Sequence, residues 1–240
     1  MSLGSLIGKG NTADVFEWED DKVLKLFHQG YPKDAIEKEY NNAIAVRSMN
    51  FMKPKVYDMI PFEKRWGIIY EKTLGETMLD CLIRTGDIEK CAFYMADLHK
   101  QILSNKTDKV PYYKDFLKNH IPGTLKPDKQ NELLQRIEGL EDGCALCHGD
   151  FHPGNILISG GNTYVIDYMN ICNGPCLYDI ARTVFLVEYS EIPDDFNNKE
   201  QLIQLRKELA DLYLSGMNIT RDMIQDYLEI IGEVRKGECG

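Results

Sequence analysis

The sequence predicts an α+β fold in two unequal parts: a small N-terminal antiparallel sheet with one helix, and a larger, mostly helical C-terminal lobe. Three observations predict it. The first seventy residues alternate apolar and polar in short runs, the period-two signature of strands. Beyond Thr73-Leu74-Gly75 the apolar residues recur at helical spacing. One short strand pair, around Gly160-Gly161-Asn162, interrupts that second part. The composition shift divides the 240 residues into lobes of 1–72 and 73–240.

Taken in order, residues 5–9, 14–18 and 22–27 read as strands separated by Gly, Asn and Asp20-Asp21 turns. Tyr31-Pro32 opens a helix, with Ile36, Tyr40, Ala43, Ile44 and Arg47 at helical spacing. Two further strands fit residues 55–60 and 66–71. In the second part, helical periodicity covers 78–83 and 88–103. Residues 111–139 read as mostly helical, broken by Pro122 and Pro127. Strands at 156–159 and 163–166 form a hairpin, and the last helices begin near Leu177, Lys199 and Thr220.

Composition narrows the function classes. A chain that is 43% hydrophobic and 28% charged folds into a globular protein. A net charge of -10 lacks the basic face that non-specific nucleic-acid binding needs, so no nucleic-acid partner is expected. The charge is compatible with a cationic substrate, although ordinary solubility accounts for it equally well. No apolar run approaches the ~20 residues of a membrane span. Met1-Ser2-Leu3-Gly4 lacks the features of a signal peptide, and a cytoplasmic protein without a membrane partner is expected. The seven cysteines then read as reduced thiols. Cys144/Cys147 and Cys172/Cys176 have spacings reminiscent of zinc ligands, but they flank a segment that another chemistry explains better.

That chemistry begins at Gly8-Lys9-Gly10-Asn11-Thr12-Ala13. Glycines at a strand turn let backbone N–H groups approach phosphate oxygens, although many plain hairpins carry two glycines and Ala13 stands where a third would complete the motif. Ten residues on from Val15, Lys25 sits inside Val23-Leu24-Lys25-Leu26-Phe27. Its ammonium either points to solvent on the second face of the strand or contacts a phosphate beside a carboxylate partner. Glu37 and Glu39 in the following helix both qualify as that partner.

The strongest pattern is Cys147-His148-Gly149-Asp150-Phe151-His152-Pro153-Gly154-Asn155-Ile156-Leu157, followed by Tyr164-Val165-Ile166-Asp167. Phosphoryl transfer needs a carboxylate near the attacking hydroxyl and oxygen ligands for magnesium. Asp150 supplies the first; Asn155 and Asp167 supply the second. The hairpin between them returns Asp167 to the loop that carries Asp150 and Asn155. His148 and His152 read as loop-ordering residues, because a carboxylate base fits this chemistry better than histidine alone.

These segments, with Ile166-Asp167-Tyr168-Met169 and Gly174-Pro175-Cys176-Leu177-Tyr178-Asp179-Ile180-Ala181-Arg182-Thr183, resemble the aminoglycoside phosphotransferase and choline kinase-like family. The motifs follow the family's order from residue 7 to residue 183. The resemblance implies a two-lobed protein-kinase-like fold that holds ATP, or GTP, with Mg2+ in the cleft between lobes. It implies that Gly8, Gly10 and Thr12 cover the phosphates, that Lys25 contacts them, and that Glu39 orients Lys25. Asp150 would be the catalytic base and Asn155 and Asp167 the metal ligands. Residues near Ile69 to Glu71 and Lys72 would form the hinge that meets adenine, and Asp179 would buttress the catalytic loop. The acceptor would be a hydroxyl of an aminoglycoside-, choline- or sugar-like small molecule; the alternatives are a protein kinase and a nucleotide-binding module of the same fold without catalysis, against which the complete set of Lys25, Asp150, Asn155 and Asp167 argues. Tyr168-Met169 replaces Phe-Gly after Asp167, and His148-Gly149-Asp150 lacks the arginine of His-Arg-Asp, which favours a small-molecule enzyme over a regulated protein kinase. Residues 111–139 and the last forty are expected to line the acceptor pocket, with Glu132, Glu138 and Asp211 read as solvated helix faces.

Overall fold

The computed structural model describes residues 3–190 and 198–238. Strands β1 (Leu6–Lys9), β2 (Ala13–Trp18), β3 (Lys22–Phe27), β4 (Val56–Phe62) and β5 (Arg65–Glu71) form an antiparallel sheet in the order β1-β2-β3-β5-β4. The alternation in β3 sorts its side chains to two faces. Leu24 and Leu26 pack with Trp18 and Ile69 in an outer cluster. Phe27 joins Ile68 and Tyr70 in the main core, on the face that α1 (Lys33–Ala45) covers. Lys25 alternates with the leucines and so shares the α1 face. Each fully buried Leu or Phe in these clusters contributes about 1.5–3 kcal/mol.

After β5 the chain turns helical: α2 (Met78–Thr85), α3 (Ile88–Leu103), α4 (Tyr113–Asn119), α5 (Pro127–Gly139), α6 (Cys176–Tyr189), α7 (Lys199–Met217) and α8 (Arg221–Glu238). Two small sheets lie among them. One pairs β7 (Ala145–Cys147) with β10 (Cys172–Gly174), and the other has the order β6 (Glu76–Thr77), β8 (Ile156–Ser159), β9 (Asn162–Val165). They hold the two ends of the Asp150–Asp167 segment. The main buried cluster runs unbroken from Phe27, Ile36 and Ile68 to Met95, Phe151 and Ile180, so both halves of the chain share one core.

Three local expectations need correction. The hairpin turn has two residues and not three: Asn162 pairs with Ser159, and Gly160 and Gly161 take φ of 55° and 81°, the left-handed values a tight hairpin demands. The second strand therefore starts one residue earlier, and Ile166 falls outside it. Pro127 does not break the 111–139 helix but opens α5 at its first turn, where no N–H partner is lost. Arg47 lies beyond the end of α1, which is capped at Val46.

No described helix is long and apolar enough to cross a membrane. The described cysteines are unpaired, and no three His, Cys, Asp or Glu side chains among the described residues are grouped to hold a metal. Cys147 and Cys172 face each other, buried, across β7 and β10, while Cys144 and Cys176 are exposed.

Candidate active site

Lys25 reaches from β3 to α1, where its Nζ lies 2.7 and 2.9 Å from the two carboxylate oxygens of Glu39. Glu37 instead points outward and pairs with Lys33 at 2.7 Å. Glu39 is fully buried, and Tyr70 of β5 donates its hydroxyl to it at 3.1 Å. Burial pushes the Glu39 carboxyl up, partly offset by Lys25. Burial opposes the charge of Lys25, yet Glu39 and Asp167 hold its ammonium well above its ordinary value. Lys25 also lies 3.3 Å from Asp167 Oδ1, so one cation joins the helix of the small lobe to the Asp167 turn.

Asp167 adopts φ of 66°, a left-handed conformation that costs a non-glycine residue about 1–2 kcal/mol. Hydrogen bonds to residues flanking it fix the turn: Val165 N–H donates to Met52 O and Ile166 N–H to Asn155 O, at 3.0 and 3.1 Å. Burial would raise the Asp167 carboxyl, but Lys25 brings it below its ordinary range. Asn42 of α1, itself buried, donates to Tyr168 O at 2.8 Å. The Tyr168 ring is buried and its hydroxyl donates to Val165 O at 2.5 Å.

The loop before this turn is held from behind. Asp179 of α6 accepts from His148 N–H at 2.5 Å and Gly149 N–H at 2.8 Å, and contacts His99 Nε2 at 2.9 Å. Burial opposes its charge, yet His99 and the Gly149 amide keep the Asp179 carboxyl below its ordinary range. Gly149 has φ of 74°, and a Cβ there would stand 2.2 Å from Asn170 O. His148 is buried; its Nδ1 accepts from Asp150 N–H at 3.3 Å and its Nε2 donates to Ile166 O at 3.2 Å, which fixes a neutral tautomer. Burial pushes its pKa down, in keeping with that state. His152 Nδ1 accepts from Gly154 N–H at 3.1 Å within a 3-10 turn, Pro153–Asn155. Both histidines thus order backbone.

Asp150 is half-buried, and Asn155 donates its Nδ2 to Asp150 O at 2.9 Å and to Asp150 Oδ2 at 3.1 Å. Asn155 Oδ1 makes no bond to Asp150. Lys25 thus joins Glu39 to Asp167, Asn155 holds Asp150, and the Ile166 N–H bond to Asn155 O connects the two groups through the backbone.

The remaining residues fall differently. Gly8 pairs with Val15, and Gly10 N–H donates to Ala13 O at 2.9 Å. Neither has a left-handed φ, so what these glycines contribute is the absence of a side chain above the turn. Thr12 O accepts from His28 N–H, which ties the turn to the end of β3. Ile69, expected to offer backbone groups at the hinge, lies within β5. It pairs with Leu24 on one side and Asp58 on the other, and its side chain is in the outer cluster. Glu71 N–H donates to Lys55 O and Lys72 N–H to Asp21 O. Glu132, Glu138 and Asp211 are exposed and paired with Lys129, Lys118 and Arg221 at 2.6, 2.6 and 2.7 Å.

Sequence reasoning missed Asn42, Tyr70, His99, Arg182 and Glu238. Asn42 carried a readable signal, an amide on the buried stripe of an amphipathic helix, where it must find a partner.

The two-lobed architecture, with a five-stranded sheet and helix against a helical lobe, is that of the protein kinases. Within that class the chain matches the model of the phosphotransferase enzyme family over residues 4–218, and it belongs to that family. No curated protein matches it. Among solved structures it is similar to the amicoumacin kinase hAmiN in complex with AMP-PNP, Ca2+ and Ami, at 17% identity and a TM-score of 0.61, over 98% of this chain and 80% of that one. It is similar to the ADP-bound aminoglycoside phosphotransferase APH(2'')-Ib at 16% identity and 0.61, over 98% and 85%. An aminoglycoside-3'-phosphotransferase of type VIII matches at 12% and 0.63, over 97% and 93%. At these identities the likeness is one of fold.

Proposed function

We propose that the protein moves the γ-phosphate of ATP, or GTP, onto a hydroxyl of a small molecule in the cytoplasm. Residues 1–72 would hold the nucleotide, and residues 73–240 would carry the catalytic loop and the acceptor. The observation that carries this reading is the linked set Lys25–Glu39, Asp167, Asn155 and Asp150 within a chain of the phosphotransferase enzyme family.

The donor set fits magnesium. Asp167 is held ionised, and the contact of Asn155 with Asp150 uses Nδ2, which leaves Oδ1 for a hard cation. Asn155 and Asp167 would hold the ion, which when bound offsets charge on the phosphate oxygens. Lys25, kept charged by Glu39, would contact the phosphates. Asp150 would orient the acceptor hydroxyl and take its proton as the new O–P bond forms and the bond between the γ-phosphorus and the β–γ bridging oxygen breaks. Positioning and electrostatics supply most of the rate. Tyr168 and Tyr178, the two phosphorylatable side chains in residues 168–179, are both buried, which favours a small-molecule enzyme over a regulated protein kinase.

The test is consumption of ATP and GTP with magnesium against aminoglycosides, choline, sugars and amino alcohols. A hit is expected to fall by about 10²–10⁴ in Asp150→Ala with nucleotide binding retained. Full turnover in that variant would sink the assignment.

A further inference from the structure

Arg182 is the largest fully buried side chain among the described residues, and the proposed chemistry leaves it without a role. It lies one turn after Asp179 on α6, and the two divide the Gly149 backbone between them. Asp179 takes the Gly149 N–H, and Arg182 Nε donates to the Gly149 carbonyl. That carbonyl belongs to the peptide unit joining Gly149 to Asp150, whose N–H is already bonded to His148 Nδ1. That peptide is held at both its oxygen and its N–H, and Asn155 holds the next carbonyl, Asp150 O, at 2.9 Å, so the backbone on both sides of the Asp150 Cα is fixed and with it the direction of the side chain.

Arg182 is held in turn. Its Nη1 and Nη2 donate to the two carboxylate oxygens of Glu238 in the last turn of α8, at 2.8 and 2.9 Å, and its Cζ sits 4.7 Å above the Phe116 ring. Arg235 Nη1 adds a 2.6 Å contact to Glu238 Oε2. Side-chain exposure is 1% for Arg182 and 7% for Glu238, so the fork is a buried, two-pronged ion pair. Gly237 packs against His120 O and leaves no room for a side chain, which fixes this turn of α8 against the end of α4.

We propose that Arg182 and Glu238 are positioning residues for Asp150, so that the last turn of α8 sets the geometry of the catalytic loop. The role rests on Asp150 acting as the base. Buried ion pairs are costly, and well-packed apolar residues often replace them without loss of stability. Packing α8 onto α6 alone would therefore not require this pair. Its distinguishing feature is the third contact, made by the same guanidinium to the loop carbonyl.

The test uses the full chain and the variants Glu238→Gln, Arg182→Leu/Glu238→Leu and Asp150→Ala. Amide hydrogen exchange at residues 148–151 is read beside turnover, KM for ATP and the urea unfolding midpoint. The double-leucine variant keeps the volume and loses the contact to Gly149. It is expected to fold, to exchange at least about tenfold faster at 148–151 alone, and to lose kcat on the order of a hundredfold with KM for ATP nearly unchanged. Should it fail to fold, Glu238→Gln, which keeps the shape but replaces one of the two accepting oxygens with an N–H donor, carries the same comparison with a smaller effect. Wild-type exchange and wild-type kcat in a folded variant would overturn the proposal. Asp150→Ala separates the two readings, because it removes the base and leaves exchange at residues 148 and 149 as in wild type. If no acceptor turns over at all, the exchange measurement still decides.

Discussion

Lys25 touches Glu39 and Asp167 at once, and its side chain is 15% exposed. Removing it strands a buried carboxylate with only the Tyr70 hydroxyl beside it. Lys25→Met is expected to cost about 3–5 kcal/mol of stability by urea unfolding, and Lys25→Met/Glu39→Gln to recover most of that. Neither variant is expected to turn over substrate. Equal stability for the single and double variants would contradict the account. Gly149 is the second sensitive position. Its left-handed φ costs a side-chain-bearing residue about 1–2 kcal/mol, and an alanine Cβ would also collide with Asn170 O. Gly149→Ala should lower the unfolding midpoint and turnover together; a variant as stable as wild type would show that the loop has room to shift.

At the scale of elements, α1 connects the sheet to the Asp167 turn. Asn42 supplies the one side-chain hydrogen bond from this helix to the Tyr168 carbonyl. Asn42→Leu leaves that carbonyl with only the longer 3.4 Å bond from Ile171 N–H and should cost about 0.5–1.5 kcal/mol, with faster hydrogen exchange at residues 167–169. Unchanged exchange there would remove Asn42 from the account. Most elements were legible in the sequence, and the reasons differ. Strand β3 and helix α3 have the expected bounds because alternation in one and 3.6-residue spacing in the other run uninterrupted. The Gly160-Gly161-Asn162 turn slipped by a residue because Asn tolerates either a turn or a strand end. Strands β7 and β10 are three residues each, too short for a periodicity to register. In the site, the linked residues share a local motif or a known spacing, whereas Arg182 and Glu238 stand 56 positions apart, and the motif that contains Arg182 gives no hint of its distant partner. For Ile69, sequence shows that it lies near the end of a strand but not that its side chain joins the outer cluster of a sheet that packs on both sides.

The whole molecule is organised around carboxylates that stay ionised in the fold, and its response to acid follows. Burial alone would raise Glu238, but its bonds to Arg182 and Arg235 lower it from an ordinary 4.5 to about 2. A depressed carboxyl stabilises the fold fully above its unfolded value and loses that contribution as pH falls towards its folded value. Stability should therefore drop between about pH 4.5 and pH 2, with about 3 kcal/mol from Glu238 alone. Asp167 and Asp179 shift in the same direction and steepen the decline. Urea midpoints at several pH values would check this; Glu238→Gln, less stable at neutral pH, should converge on wild type in acid. A constant gap between the two would refute it.

The lock on the Asp167 turn also bears on how a cell would govern such an enzyme. Tyr168 is packed inside, its hydroxyl spent on Val165, and its carbonyl is tied to the opposite lobe. A modifying enzyme could reach the Tyr168 hydroxyl only after the turn opens and both of these bonds break.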